Sequence, residues 1–125
     1  MAKFSSTLMG LLAAAALASS GMAFAAEPAM TKSGMLVDHK EMTLYTFDKD
    51  SAGKSACDGQ CAENWPPLMA GAMDKADGKW TIVTRTDGSK QWAYGDKPLY
   101  TFKSDKKAGD VTGDGKGGAW HIAKP

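Results

Sequence analysis

Apolar and polar side chains alternate along two short segments, MTLYTFD at residues 42–48 and KPLYTFK at residues 97–103. Leu44 and Thr46 fall on one face of the first and Tyr45 and Phe47 on the other; Leu99 and Thr101, Tyr100 and Phe102 divide in the same way in the second. A period of two is that of a strand, so both are expected to be β. Residues 80–86 (WTIVTRT) and 90–95 (KQWAYG) read as a hairpin turned at Asp87-Gly88, because Gly tolerates the positive φ of a tight turn. Gly95-Asp96 turns the chain into the second LYTF segment, and GMLVD at residues 34–38 turns through His39-Lys40-Glu41 into the first. AWHIA, residues 119–123, closes the series. One stretch resists a strand reading: DGQCAENW, residues 58–65, lacks alternation and runs into Pro66-Pro67, which predicts a short helical turn near Cys61 that stops before the prolines. The expected fold class is all-β and mainly antiparallel, a small sheet or partly open barrel of about six strands.

The two LYTF segments belong to a longer echo. A shift of 55 positions, Leu44 to Leu99, also carries Tyr45, Thr46 and Phe47 onto Tyr100, Thr101 and Phe102, Asp50 onto Asp105 and Trp65 onto Trp120 without a gap. Glu41 faces Asp96 at the same shift. A duplicated β unit accounts for this, because each copy has the same core-facing and turn-forming demands. The copies are placed at residues 34–68 and 89–123, joined by a connecting hairpin segment and packed around one shared core. Trp65 and Trp120 are expected in equivalent positions, each covering the Tyr or Phe face of an LYTF strand.

Ahead of the repeats, residues 1–25 have the form of a cleaved export signal with a signal helix: basic Lys3, an apolar run from Leu8 to Leu17, and small residues around Ala23-Phe24-Ala25, with cleavage expected after Ala25. The run is shorter than the ~20 residues of a membrane span, and no second one follows, so no span is expected after cleavage. What remains is one small domain at residues 34–125 behind a flexible lead-in at 26–33, with a periplasmic or secreted location. Fifteen Lys and Arg against fourteen Asp and Glu leave no basic patch, which argues against a nucleic-acid partner. Lys103, Lys106 and Lys107, with Asp105 and Asp110, read as a solvated loop.

YTFDKD and YTFKSD each fit the pattern Y-x-[FWY]-x-x-D, and SACDGQCAENWPPL and GDVTGDGKGGAWHIAKP follow them. In these features almost the whole exported chain resembles the bacterial "secreted repeat of unknown function" family, predicted lipoproteins with a Yx(FWY)xxD motif. The resemblance implies export, a tandem pair of units and a β-rich domain, and it brings no activity or substrate. The chain lacks the lipobox Cys of lipoprotein members, so a lipid anchor is not expected.

Cys57 and Cys61 are the only cysteines, and in an oxidising compartment the bland reading is a short-loop disulfide. A thiol oxidoreductase would call for Cys-x-x-Cys and a cationic setting; here the spacing is one residue longer and Asp58 adjoins. Copper would find soft or borderline ligands in His39, Met42 and His121, with Met30, Met35, Met69 and Met73 elsewhere, although Met more often fills gaps in a core. Calcium loops are suggested by Asp48, Asp50 and Gly53 and by Asp110, Thr112, Asp114 and Gly115, but Gly59 and His121 stand where the closing acid belongs. GDGKGG satisfies G-x-G-x-x-G without the strand-to-helix setting that a dinucleotide requires. No cofactor is expected, with copper or calcium as the candidates if one binds.

The recurring aromatics give a binding idea. Tyr45, Trp65, Tyr100 or Trp120 could stack on a sugar or other flat ligand, with Asp50, Asp105 or His121 meeting its hydroxyls. The competing reading is structural, since a domain this small needs large aromatics for its core and the two Asp residues can cap loops. The leading expectation is therefore a non-enzymatic binding or accessory domain for a small molecule, an envelope component or a protein. A redox or copper-handling protein and an enzyme of unidentified class are the alternatives.

Overall fold

The computed structural model describes residues 27–125. The expected signal helix and its cleavage point lie outside the described residues. The order of elements is β1 (Met30–Lys32), β2 (Met35–Val37), β3 (Tyr45–Phe47), α1 (Gln60–Asn64), β4 (Trp80–Thr84), β5 (Lys90–Tyr94), β6 (Lys97–Pro98), a 3-10 turn (Lys116–Gly118) and β7 (Trp120–Ile122). Three small antiparallel sheets result, β1-β2, β3-β7 and β4-β5-β6, and they form no closed barrel among the described residues. α1 is the expected helical turn and ends at Asn64, ahead of the two prolines.

β1 falls within the stretch expected to be a flexible lead-in. Ser33 and Gly34 both adopt positive φ, 54° and 77°, the geometry of a two-residue hairpin turn, and so Met30 pairs with Val37 and Lys32 with Met35. Ala29 is buried beside this hairpin. The β4–β5 hairpin, read from sequence as a connector, does for the second unit what β1–β2 does for the first. Leu44 N–H donates to Leu36 O at 3.0 Å, and Leu99 N–H donates to Trp92 O at the same distance.

The LYTF segments lie side by side, with Tyr45 N–H donating to Tyr100 O at 2.7 Å and Tyr100 N–H to Tyr45 O at 3.0 Å. Each is flanked on its other edge by the end of the opposite unit. β3 pairs with β7, Tyr45 opposite Ile122 and Phe47 opposite Trp120. Across the second segment lies Pro67, a position that the 55-residue shift carries onto Ile122. There Thr101 N–H donates to Pro66 O at 2.8 Å and Leu68 N–H accordingly to Leu99 O at 2.9 Å. Because proline has no N–H, the ladder on this side reduces to isolated bridges, and the second LYTF does not register as a strand although its backbone is laid out like the first. The units therefore exchange their C-terminal segments.

The period of two sorts the side chains as expected, but into two cores where one was expected. Leu44 and Leu99 enter a cluster with Ala29, Leu36 and Ala123, edged by Leu68, Trp80 and Tyr94. Tyr45, Tyr100 and Phe102 enter the other, with Trp65, Trp120 and Cys57. The LYTF pair is the partition between them, and a strand pair covered on both faces needs a cluster for each.

Candidate functional site

Exchange explains the Y-x-[FWY]-x-x-D pattern. Tyr45 Oη donates to Asp105 Oδ2 and Tyr100 Oη to Asp50 Oδ2, both at 2.7 Å, so each tyrosine meets the aspartate of the other copy. The second carboxylate oxygen caps a loop: Asp50 Oδ1 accepts the Ala56 N–H at 2.6 Å, and Asp105 Oδ1 accepts the Thr112 N–H at 2.9 Å and its hydroxyl at 2.5 Å. Asp105, placed by sequence in a solvated loop, is buried. Burial above all, and then the carboxylate beside it, pushes the Tyr45 hydroxyl well above the ordinary phenol range, and burial likewise raises Tyr100, with Asp50 adding to it and Ser55 opposing. Burial also raises Asp50, against the lowering effect of the Ala56 amide and the Tyr100 hydroxyl.

The tryptophans complete the arrangement. Phe102, Trp65, Trp120 and Phe47 form one column, with ring centroids 4.0, 3.7 and 4.2 Å apart and the two indoles 2° from parallel. Tyr45 and Tyr100 meet Trp65 and Trp120 edge-on at 5.4 and 5.1 Å. Each indole is thus covered on both faces by other rings. The ligand candidates Tyr45, Asp50, Trp65, Tyr100, Asp105 and Trp120 are brought together in one packed cluster, and Trp65, Trp120 and Phe102 also line a cleft of about 420 Å³ beside Lys103 and Lys116. His121 stands apart on β7 and bonds Asp48 through Nε2 at 2.8 Å.

Of the metal candidates, His39 and Met42 share the segment between β2 and β3, while His121 lies on β7. His39 lies in the turn after β2 with Nε2 2.6 Å from Glu27 O, and Met42 is held by its backbone N–H to Asp38 Oδ1. Among the described residues, no group of three or more His, Cys, Asp or Glu is placed to hold a metal ion. In the calcium-like loops, Asp50 serves Tyr100, Asp110 Oδ2 accepts the Lys106 and Lys107 amides, and Asp114 Oδ1 accepts the Ile122 amide.

Cys57 and Cys61 are joined, their Cα atoms 5.2 Å apart. The loop they close is held by Arg85, which the sequence did not single out. Its buried guanidinium donates to Cys57 O at 2.5 Å, Gln91 Oε1 at 2.7 Å, Ser55 Oγ at 3.1 Å and Asp58 Oδ1 at 3.2 Å. Gln91 passes the network on to Leu99 O through Nε2.

An open site lies on the other side of the molecule. A cleft of about 660 Å³ runs between residues 27–31, the loop 73–79 and one face of the β4–β5 hairpin, with Pro125 at its edge. Trp80 and Tyr94, paired directly across the strands, have ring centroids 4.8 Å apart, and Trp92 meets Trp80 edge-on at 6.1 Å. Trp80 and Tyr94 are half-buried, so their rings are partly open. Lys79 Nζ lies 5.7 Å from the Tyr94 ring centre, and Glu27, Asp74, Lys75 and Asp77 add charge around the rim. The sequence pattern marks these aromatics as strand residues and does not distinguish a cleft floor from a core. A usable signal was present in the same shift of 55, which carries Val37 and His39 onto Trp92 and Tyr94, so the first unit has no aromatic at either position.

The fold defines a two-repeat β protein whose motif tyrosines and aspartates bond across the copies. Residues 29–69 and 81–124, together more than half of the chain, match the family described as a secreted repeat of unknown function, and the chain belongs to that family. No curated protein and no solved structure matches it significantly. The loop 70–79 and Trp80 fall between the matched stretches. No helix among the described residues is long and apolar enough to cross a membrane.

Proposed function

We propose that the protein is an exported, non-enzymatic binding or accessory domain, periplasmic or secreted after cleavage behind Ala25, and that it binds a small ligand in the cleft beside Trp80. The observation that carries this reading is the break in symmetry. The repeated Leu, Tyr and Trp residues build the cores, whereas this cleft sets residues 27–31 against an inter-repeat loop and aromatics with no counterpart in the first unit. Its size suits a ligand of ordinary metabolite dimensions, and its mix of ring faces with a few polar groups is that of a binding site. Native mass spectrometry of protein recovered from the periplasm tests it. A retained small molecule lost on Trp80→Ala supports the reading, while protein that leaves the cell with Met1 intact and carries no adduct opposes it.

A further inference from the structure

We infer that the ligand of this cleft is a neutral saccharide, with Trp80 as its stacking platform and Asp77 as an acceptor for its hydroxyls; the inference rests on the binding reading above. The floor and the rim ask for different things from one molecule. The floor is aromatic, three rings on one face of a hairpin with Trp80 and Tyr94 half open. A pyranose meets such a floor with its C–H face, which is apolar and flat.

The rim mixes signs, with Asp74 and Asp77 alternating with Lys75 and Lys79 along the loop. A cationic guest would meet the two ammonium groups and an anionic one the carboxylates. A neutral polyhydroxyl, in which every O–H both donates and accepts, makes use of both. The Asp74 carboxylate already accepts the Gly71 N–H at 2.7 Å, whereas the exposed Asp77 is fixed through its backbone, which exchanges hydrogen bonds with Trp80 at 2.8 and 3.0 Å. Its side chain has no partner among the described residues and stands three positions before the platform ring. Lys79 rests over Tyr94 and screens that ring, which leaves Trp80 as the face on which a sugar stacks. The volume of about 660 Å³ accommodates a disaccharide within the ordinary range of ligand pockets.

The test is isothermal titration calorimetry of the full chain recovered after export, with cellobiose and N,N′-diacetylchitobiose as saccharide probes and caffeine as a flat non-sugar. Saturable binding of either saccharide, weakened roughly tenfold by Asp77→Ala and at least as much by Trp80→Ala, is the expected result. Trp80→Phe, which keeps a ring against the core, should fold normally and still bind several-fold more weakly. Saccharide binding indifferent to Asp77 and Trp80 substitutions would overturn the site assignment. Caffeine binding that depends on Trp80, with no response to either saccharide, would overturn the saccharide class and leave the cleft as a binding site. No response to any of the three probes would count against both.

Discussion

A single methyl group at Gly113 would stand 2.7 Å from Trp65 Cη2 and 3.0 Å from Phe102 Cδ2, inside the aromatic column. Both atoms belong to buried rings held in the stack, so Gly113→Ala should destabilise by about 1–3 kcal/mol, measured by urea unfolding. Gly115 has open space around it but φ of 80°, so there an Ala acts through the backbone alone. Asp50 gives a pH signature. Its carboxyl is raised above the ordinary value of 3.8, so the folded chain holds that proton more tightly than the unfolded chain. Its contribution to stability is fully present below the unfolded value and is lost as pH rises through the folded one. The stability of the wild type relative to Asp50→Asn should therefore fall as pH rises from about 3 to 7, as read from paired denaturation curves. A difference that grew over the same range would contradict this assignment.

Among the elements, the Cys57–Cys61 loop depends on two fasteners of different kinds. The disulfide closes so short a loop that its restraint on the unfolded chain is small, and Cys57→Ala with Cys61→Ala should cost no more than the usual ~2 to 4 kcal/mol. Arg85 works in the folded state. Replacing it with Met strips the buried Cys57 carbonyl and the Gln91 amide oxygen of a charged donor, and should cost about 3 kcal/mol in thermal or chemical denaturation. The two LYTF segments, the helical turn and the β4–β5 hairpin were legible because each rests on local alternation, a turn dipeptide or a proline stop. β1 was not, since its hairpin depends on Ser33 taking a positive φ that serine seldom adopts. Arg85 was equally silent, since nothing in RTDGSK marks which of its polar residues is buried.

At the scale of the molecule, the sequence could reveal two copies but not their exchange. Pro67 and Ile122 are separated by the same shift as Tyr45 and Tyr100, so exchanged and unexchanged pairings place the same residue types opposite one another. Exchange makes a definite prediction for fragments. Residues 27–75 and 76–125, produced separately, should each lack the near-ultraviolet circular dichroism of the stacked column, because each leaves its LYTF segment without the closing strand and its repeat tryptophan, Trp65 or Trp120, without the partner indole. Mixed, they should regain the signal as the column of Phe102, Trp65, Trp120 and Phe47 reassembles. The column's signal from either fragment alone, or its absence from the mixture, would count against the exchanged architecture. The cleft was hidden for a related reason: whether a strand aromatic is core or floor depends on what the rest of the chain lays over it.

The crossed hydrogen bonds from Tyr45 to Asp105 and from Tyr100 to Asp50 also bear on how the duplication could age. Ordinarily one of two gene copies is free to drift once the other suffices. Here an aspartate lost from either copy takes a charged acceptor from a buried hydroxyl in its twin, leaving Tyr100 with Ser55 alone and Tyr45 with only the Gly113 amide, so each half is the other's selective constraint. Substitutions at position 45 should be matched by changes at 105, sixty residues away, sooner than by changes at 50 within the same motif. A lineage alignment would then display the pairing as covariation between copies, and the motif would endure in both or decay in both.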